Sequence, residues 1–326
     1  MEGGNYMWYL KLRMYILVAV LFAIVYAMVS IISYKLGVTN FYFYLALSFV
    51  LMFIQYMVGP KLVEWSMSVT YIKEGEYPEL RQMVEKLAMK ANIPAPRIGI
   101  AHITIPNAFA FGRSIKDGRI CVTQGIMSLL NKDELQAVLG HEMTHLKNRD
   151  VLTITLLSVI PMILYRIAWQ FLFFGGRRDK SQGSAALVGL VAFIFYFVTN
   201  LLVLYASRIR EHFADKGSVD LGNNPSSLAT ALYKLVYGSA RIPKDELKTA
   251  EGMKAFFVND PSRALTELRD LRELDLDRSG TISSNELDAL QRRAVKLNFG
   301  DKVMEIFSTH PNMLKRIKRL SEWQRA

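Results

Sequence analysis

His141-Glu142-Met143-Thr144-His145 sets two imidazoles four residues apart, with a carboxylate directly after the first. On a helix, residues i and i+4 share a face, so both rings can bind one tetrahedral zinc. Glu142 then lies close enough to a water on that metal to act as general base. Zinc brings such a water's pKa towards neutrality and polarises a scissile carbonyl, which is the chemistry of hydrolysis. Standing alone, the same five residues read as two surface histidines on an amphipathic helix. A catalytic zinc wants three protein ligands and an open position, and no His-x-x-Gly-x-x-His spacing follows His145.

The third ligand must come from later in the chain, and Ser207 to Asp215 (SRIREHFAD) offers one. On a helix Glu211 and Asp215 share a face, so Glu211 can ligate while Asp215 orients a ligand imidazole. His212 competes for the ligand role but points about 100° away from that face. Without its context Glu211 is a solvated surface carboxylate. Cys121 is the one cysteine, which excludes an intrachain disulfide and a Cys-based zinc cluster.

A second cation motif runs from Asp275 to Glu286 (DLDRSGTISSNE). Asp275, Asp277, Ser279, Thr281 and Glu286 fall at positions one, three, five, seven and twelve of an EF-hand loop. Gly280 stands at six and an apolar residue at eight, which predicts a calcium site. Leu265 to Leu274 and Leu287 to Val295 can form the flanking helices. EF-hands normally pair and this loop is single, so its bland reading is a helix–turn–helix.

The rest of the chain must position these groups. In 326 residues 51% are hydrophobic and the formal net charge is +11, with a mean hydropathy of +0.17. The apolar residues cluster in four runs: Met14 to Ser33, Phe41 to Val58, Val151 to Phe174 (interrupted by Arg166) and Ala185 to Tyr205. A run of this length makes ~30 Å of helix, the hydrocarbon thickness, so four membrane-spanning helices are expected. Lys11, Arg13, Lys61, Lys147, Arg149, Arg208 and Arg210 then share one side, against Lys35 on the other; Arg177-Arg178-Asp179-Lys180 breaks this pattern and, with Arg166, leaves the last two runs open to a second reading as a tilted or partly embedded hairpin. That bias places both termini and the polar segments in the cytoplasm of a multi-pass cell (inner) membrane protein. The excess basic charge lies at span ends and in the C-terminal segment, which suits anionic lipid headgroups and argues against nucleic acid.

These landmarks divide the chain into a transmembrane hairpin at 1–60, a polar segment at 61–150, a second hairpin at 151–205 and a polar segment at 206–326. The EF-hand-like insertion lies at 261–305. In the first polar segment Tyr77 to Ala91 has helical apolar spacing, and Arg97 to Ile103, Ala108 to Arg113 and Arg119 to Thr123 read as strands with a turn at Asp117-Gly118. Asn131 with Glu134 three residues on is a capping box that opens the helix carrying HEMTH. His145 and Glu211 each lie six residues from an apolar run, so both ligand segments are expected at the same membrane face.

HEMTHLKNRD, SRIREHFADKGSVDL, PNAFAFGR and STHPNMLKRI, in this order, resemble the membrane zinc metalloproteases of the HtpX family, relatives of the CAAX prenyl protease family. The resemblance covers most of the chain. It implies a mainly α fold: four transmembrane helices plus a gluzincin-type α+β peptidase domain with a small sheet and an HExxH helix. It further implies one zinc on His141, His145 and Glu211, Glu142 as base, and a cytoplasmic endopeptidase site serving membrane-protein quality control under stress. Its substrates would be membrane proteins or unfolded polypeptides. The family's Asn-Ala-Phe-Ala segment matches Asn107, Ala108, Phe109 and Ala110, expected as an edge strand that captures extended substrate through its backbone. Phe109 and Phe111 can equally be core residues. Two departures stand out: His310-Pro311-Asn312 replaces the usual His-Pro-Pro, and the 261–305 stretch is extra. His310 is expected to polarise substrate or to cap the final helix. Two other readings are a CAAX-type prenyl-protein protease and a calcium-responsive membrane scaffold with a structural metal site.

Overall fold

The computed structural model describes residues 41–150, 182–241 and 264–324, except 272 and 293–298, with isolated positions at 16, 20 and between 153 and 172. The chain divides into two compact units, each assembled from two separate stretches: Met1–Gly59 with Leu152–Ile209, and Pro60–Val151 with Arg210–Ala326.

In the first unit the described helices are α1 (Phe41–Ser66), which continues past Gly59, and the apolar part of the long helix Gln182–Asp220. Leu187, Leu190, Phe193, Ile194, Phe197 and Val198 are exposed along the latter, an outward apolar surface that a lipid environment would cover. Ala192 packs with Leu164 and Ala168 in a small core. Among the described residues one helix, beginning at Ala186, is long and apolar enough to cross a membrane. The expected run Phe41 to Val58 lies within α1, whereas Met14 to Ser33 falls almost wholly, and Val151 to Phe174 mostly, outside the described residues.

The second unit carries the chemistry. It holds β1 (Val69–Tyr71), α2 (Pro78–Ala91), β2 (Arg97–Ala101), β3 (Ala108–Phe111), β4 (Arg119–Thr123), α3 (Gln124–Leu129) and α4 (Lys132–Lys147). After the C-terminal end of the long helix, α5 (Gln182–Asp220), come α6 (Pro225–Ser239), α7 (Ala264–Leu271), α8 (Ser284–Arg292), α9 (Phe299–Ile306) and α10 (Met313–Trp323). The strands lie in the order β1-β2-β4-β3. β2 and β4 are parallel, with Ile98 opposite Ile120, and β3 and β4 form an antiparallel hairpin with Ala110 opposite Ile120. The hairpin turn is longer than Asp117-Gly118 suggests, because a 3-10 turn at Ile115–Asp117 fills it. β1 and α3 lack a distinct sequence signal, since three residues and six residues are too short to show a period.

β3 alternates sides as a strand must. Phe109 and Phe111 point into a core with Val63, Met67, Ala101 and Cys121, leaving Ala108 and Ala110 on the other face. The α4 capping box is present: Glu134 N donates to Asn131 Oδ1 at 2.9 Å and Asn131 N donates to Glu134 Oε2 at 3.0 Å.

Asp117 clasps the sheet ends together, accepting from Arg113 Nε at 2.9 Å and Arg119 Nη1 at 3.0 Å, with Arg97 at 3.2 Å. Partial burial pushes its carboxyl up, but the Arg113 and Arg119 guanidiniums outweigh this and hold it below the usual range. A depressed folded-state pKa adds stability at neutral pH that is lost as pH falls through the carboxylate range. Asp117→Asn is therefore expected to lower the thermal midpoint at pH 7. The gap from the wild type should close as pH is taken below about 4, and calorimetry across pH 2–7 measures both.

Candidate active site

Two helices bring the site together. α4 carries His141, Glu142 and His145, all buried or nearly so, and the end of α5 carries Glu211 and Asp215. Their contact is close because glycines face side chains across it. A Cβ on Gly217 would overlap the Thr144 side chain, and one on Gly140 would overlap Asn223 and crowd Ser218. Ser218 Oγ donates to the Ala137 carbonyl at 2.6 Å, and Asn223 Nδ2 donates back to Ser218 O at 3.1 Å.

The ligand atoms then converge. His141 Nε2 and His145 Nε2 are 3.1 Å apart, and each lies 3.5 Å from an oxygen of Glu211. Tetrahedral bonds of 2.0–2.1 Å separate ligand atoms by about 3.3–3.4 Å, so these residues fit one small cation. His212, the competing ligand in the sequence, is not in the cluster.

Each histidine is oriented from behind by a carboxylate, and each carboxylate by an arginine. His141 Nδ1 donates to Asp215 Oδ1 at 2.9 Å, and Arg316 grips Asp215. His145 Nδ1 donates to Asp150 Oδ2 at 2.6 Å, and Arg210 Nε lies 3.0 Å from Asp150 Oδ1. Donating Nδ1–H outward fixes the tautomer that leaves Nε2 free to ligate. Burial lowers the His145 pKa, but Asp150 and Glu211 more than reverse it and hold the ring at about 10 in the metal-free protein. His141 is likewise raised, burial being outweighed by Asp215 and Glu211. Asp150, Arg210 and Arg316 have no distinguishing mark in the sequence, because their contacts with the site are fixed by the packing of helices.

Burial pushes the Glu142 carboxyl above its usual range, while the two histidines and a hydrogen bond from the Ala110 backbone N–H pull it down. β3 is the edge strand of the sheet, and this bond aims its outer side at Glu142. Asn107, the first residue of the expected substrate segment, is wholly buried; its N–H donates to Thr123 Oγ1 at 2.8 Å and its carbonyl accepts from Thr123 N at 2.9 Å. The Phe109 side chain belongs to the core, which leaves the backbone of Ala108 to Ala110 as the available surface.

His310 Nδ1 lies 3.3 Å from Glu211 Oε2. It does not cap the final helix. Asn312 does so, accepting from Leu314 N at 2.9 Å, which accounts for asparagine replacing proline there.

Away from this site, Asp275, Asp277 and Glu286 bring carboxylate oxygens within 4.8 Å of one another, and Gly280 takes the positive φ of 78° that the loop's sixth position requires. Ser279 and Thr281 hydroxyls are 2.8 Å apart beside them. Asp275 accepts from Ser279 N at 2.9 Å and Gly280 N at 3.0 Å, and Glu286 accepts from Ser283 N at 2.8 Å. Position eight, Ile282, is held through both its N–H and its carbonyl by the Thr230 hydroxyl of α6.

The model of peptidase family M48 matches residues 74–324. The chain belongs to this family. An HtpX protease homologue of Methanothermobacter thermautotrophicus is 46% identical over 245 residues, covering 75% of this chain and 93% of that one. A second, from Methanosarcina acetivorans, is 36% identical over 83% of this chain and 81% of its own length. A third, from Thermococcus sibiricus, is 32% identical over 95% of this chain and 96% of its own length. The crystal structure of S. mikatae Ste24p covers 97% of this chain and 67% of its own, at 15% identity and a TM-score of 0.49. This M48 peptidase is a membrane metalloprotease.

Because the contact at Gly217 sets the distance between α4 and α5, Gly217→Ala is expected to force them apart. The cost of such overpacking is ~1–3 kcal/mol, and metal affinity should fall about tenfold or more. Thermal midpoints and competition with a chromophoric chelator measure the two effects.

Proposed function

We propose that the protein is a zinc-dependent endopeptidase that hydrolyses peptide bonds in misfolded or damaged membrane proteins. His141, His145 and Glu211 would hold the zinc, with Asp215 orienting His141. The observation that carries this reading is the convergence of His141 and His145 Nε2, 3.1 Å apart, on the two oxygens of Glu211 at 3.5 Å each, with the Glu142 carboxylate on the histidines' helix. A bound zinc supplies a Lewis acid for the scissile carbonyl and makes water a nucleophile near neutral pH.

The chain's own residues do the rest. Glu142, buried and with its pKa raised by that burial, takes a proton from the attacking water and returns it to the leaving amine. The outer edge of β3 pairs with an extended substrate through main-chain hydrogen bonds, so Ala108 to Ala110 select for unfolded chain more than for particular side chains. His310 lies beside Glu211, where an imidazole can donate to substrate. The Lys and Arg bias around the apolar runs supports a multi-pass protein of the cell (inner) membrane with site and termini cytoplasmic.

Casein hydrolysis in detergent, on adding zinc to metal-free protein, tests this. Glu142→Gln should keep stoichiometric zinc while kcat/KM falls about 10²–10⁴-fold, and a chelator should abolish wild-type cleavage. If zinc binds and the wild type leaves casein intact, the broad-specificity reading fails and the prenyl-protein protease takes its place.

The same reading gives the 275–286 loop a calcium ion, supported by the spacing of its oxygen ligands. Calcium titrated into the purified protein should release heat, and Glu286→Gln should abolish that heat without changing zinc stoichiometry. No heat from the wild type would leave the loop as a helix connector.

A further inference from the structure

Arg316 is the largest of the fully buried side chains among the described residues. A guanidinium carries five N–H donors in a rigid plane and stays charged, so burying one is costly unless its partners are in place. Here they are carboxylates of the candidate metal site. Nε lies 2.9 Å from Asp215 Oδ2 and Nη2 lies 2.7 Å from Asp215 Oδ1, a two-point grip on one carboxylate. Nη1 lies 3.2 Å from Glu211 Oε2. Asp215 in turn accepts from His141 Nδ1 at 2.9 Å.

The helix that presents Arg316 is itself anchored. Asn312 caps the start of α10, and two residues beyond Arg316 the ammonium of Lys318 donates to the Leu290 and Gln291 carbonyls at 2.8 and 2.6 Å, closing the end of α8. Arg316 is thus a fixed planar fork that leads to the metal ligands through Asp215 to His141, while Nη1 faces Glu211 at ion-pair distance only.

We propose that Arg316 is a positioning residue of the metal centre: its two-point grip fixes the Asp215 carboxylate that orients His141, so that imidazole stands in place before metal arrives. This rests on the reading of His141, His145 and Glu211 as ligands. A residue that merely balanced charge would be replaceable by lysine, which keeps the charge and loses the fork.

The test uses the full-length protein in detergent, with zinc affinity from chelator competition and the visible bands of bound cobalt(II), whose intensity falls as coordination departs from tetrahedral. Arg316→Lys should stay folded by circular dichroism, bind zinc about tenfold more weakly and give weakened cobalt bands. In an Asp215→Asn background the same change should alter affinity less than about twofold, because the group it acts through is gone. Arg316→Met should lose more affinity than the lysine variant; if it does not fold, the lysine variant alone decides. Wild-type affinity and cobalt spectrum in Arg316→Lys would overturn the proposal, as would fully multiplicative effects of Arg316→Lys and Asp215→Asn. A wild type that binds neither cobalt nor zinc would overturn the ligand reading beneath it, and that result is distinguishable from the first two.

Discussion

The close approach of α4 and the end of α5 is the constraint on which the site depends. The ligand atoms come from two helices far apart in the chain, and a helix wider than a glycine contact would leave Glu211 out of reach of the imidazoles. Gly140 and Gly217 remove the side chains that would intervene, and the Ser218 hydroxyl on the Ala137 carbonyl fixes the helices against sliding. α6 adds a clamp: Lys234 donates to both oxygens of Glu134, the capping-box residue of α4, at 2.8 and 2.9 Å. The cap that starts α4 is therefore also a tertiary contact.

Burying so much charge is tolerable only because it is paired in series. Two chains of groups run outward from the imidazoles, His141–Asp215–Arg316 and His145–Asp150–Arg210. Each carboxylate serves both neighbours, holding a ring in one tautomer and satisfying a guanidinium. Removing an inner member strands the outer one in a low-dielectric interior, so damage at one end of a chain is felt at the other.

Where the relevant interaction is local, the sequence exposes it. The four-residue spacings that put His141 with His145 and Glu211 with Asp215 on common faces, the Asn131–Glu134 box and the twelve-residue loop from Asp275 are all readable along the chain, and the structure gathers each group. Asp150, Arg210 and Arg316 are ordinary charges until distant elements meet, so no spacing marks them. The parallel pairing of β2 with β4 is also hidden, because neighbouring strands in sequence suggest a simple meander and β4 instead inserts between β2 and β3. For Phe109 two readings were open, substrate contact and core, and strand alternation resolves the side chain to the core while its backbone stays at the edge. His310 likewise had two readings, and the cap of the final helix is made by Asn312 instead.

Thr144 occupies one of the two positions in the HExxH pattern that are written as free, yet it stands against Gly217 with no room between them. The two positions are sterically coupled. Any single change at 217 introduces a Cβ against a branched side chain, and a larger residue at 144 meets the facing helix backbone. A side chain at 217 fits only if the one at 144 is smaller than threonine. The freedom of that x is therefore set by a residue on another helix, and the motif as a line of letters understates how much of it is fixed.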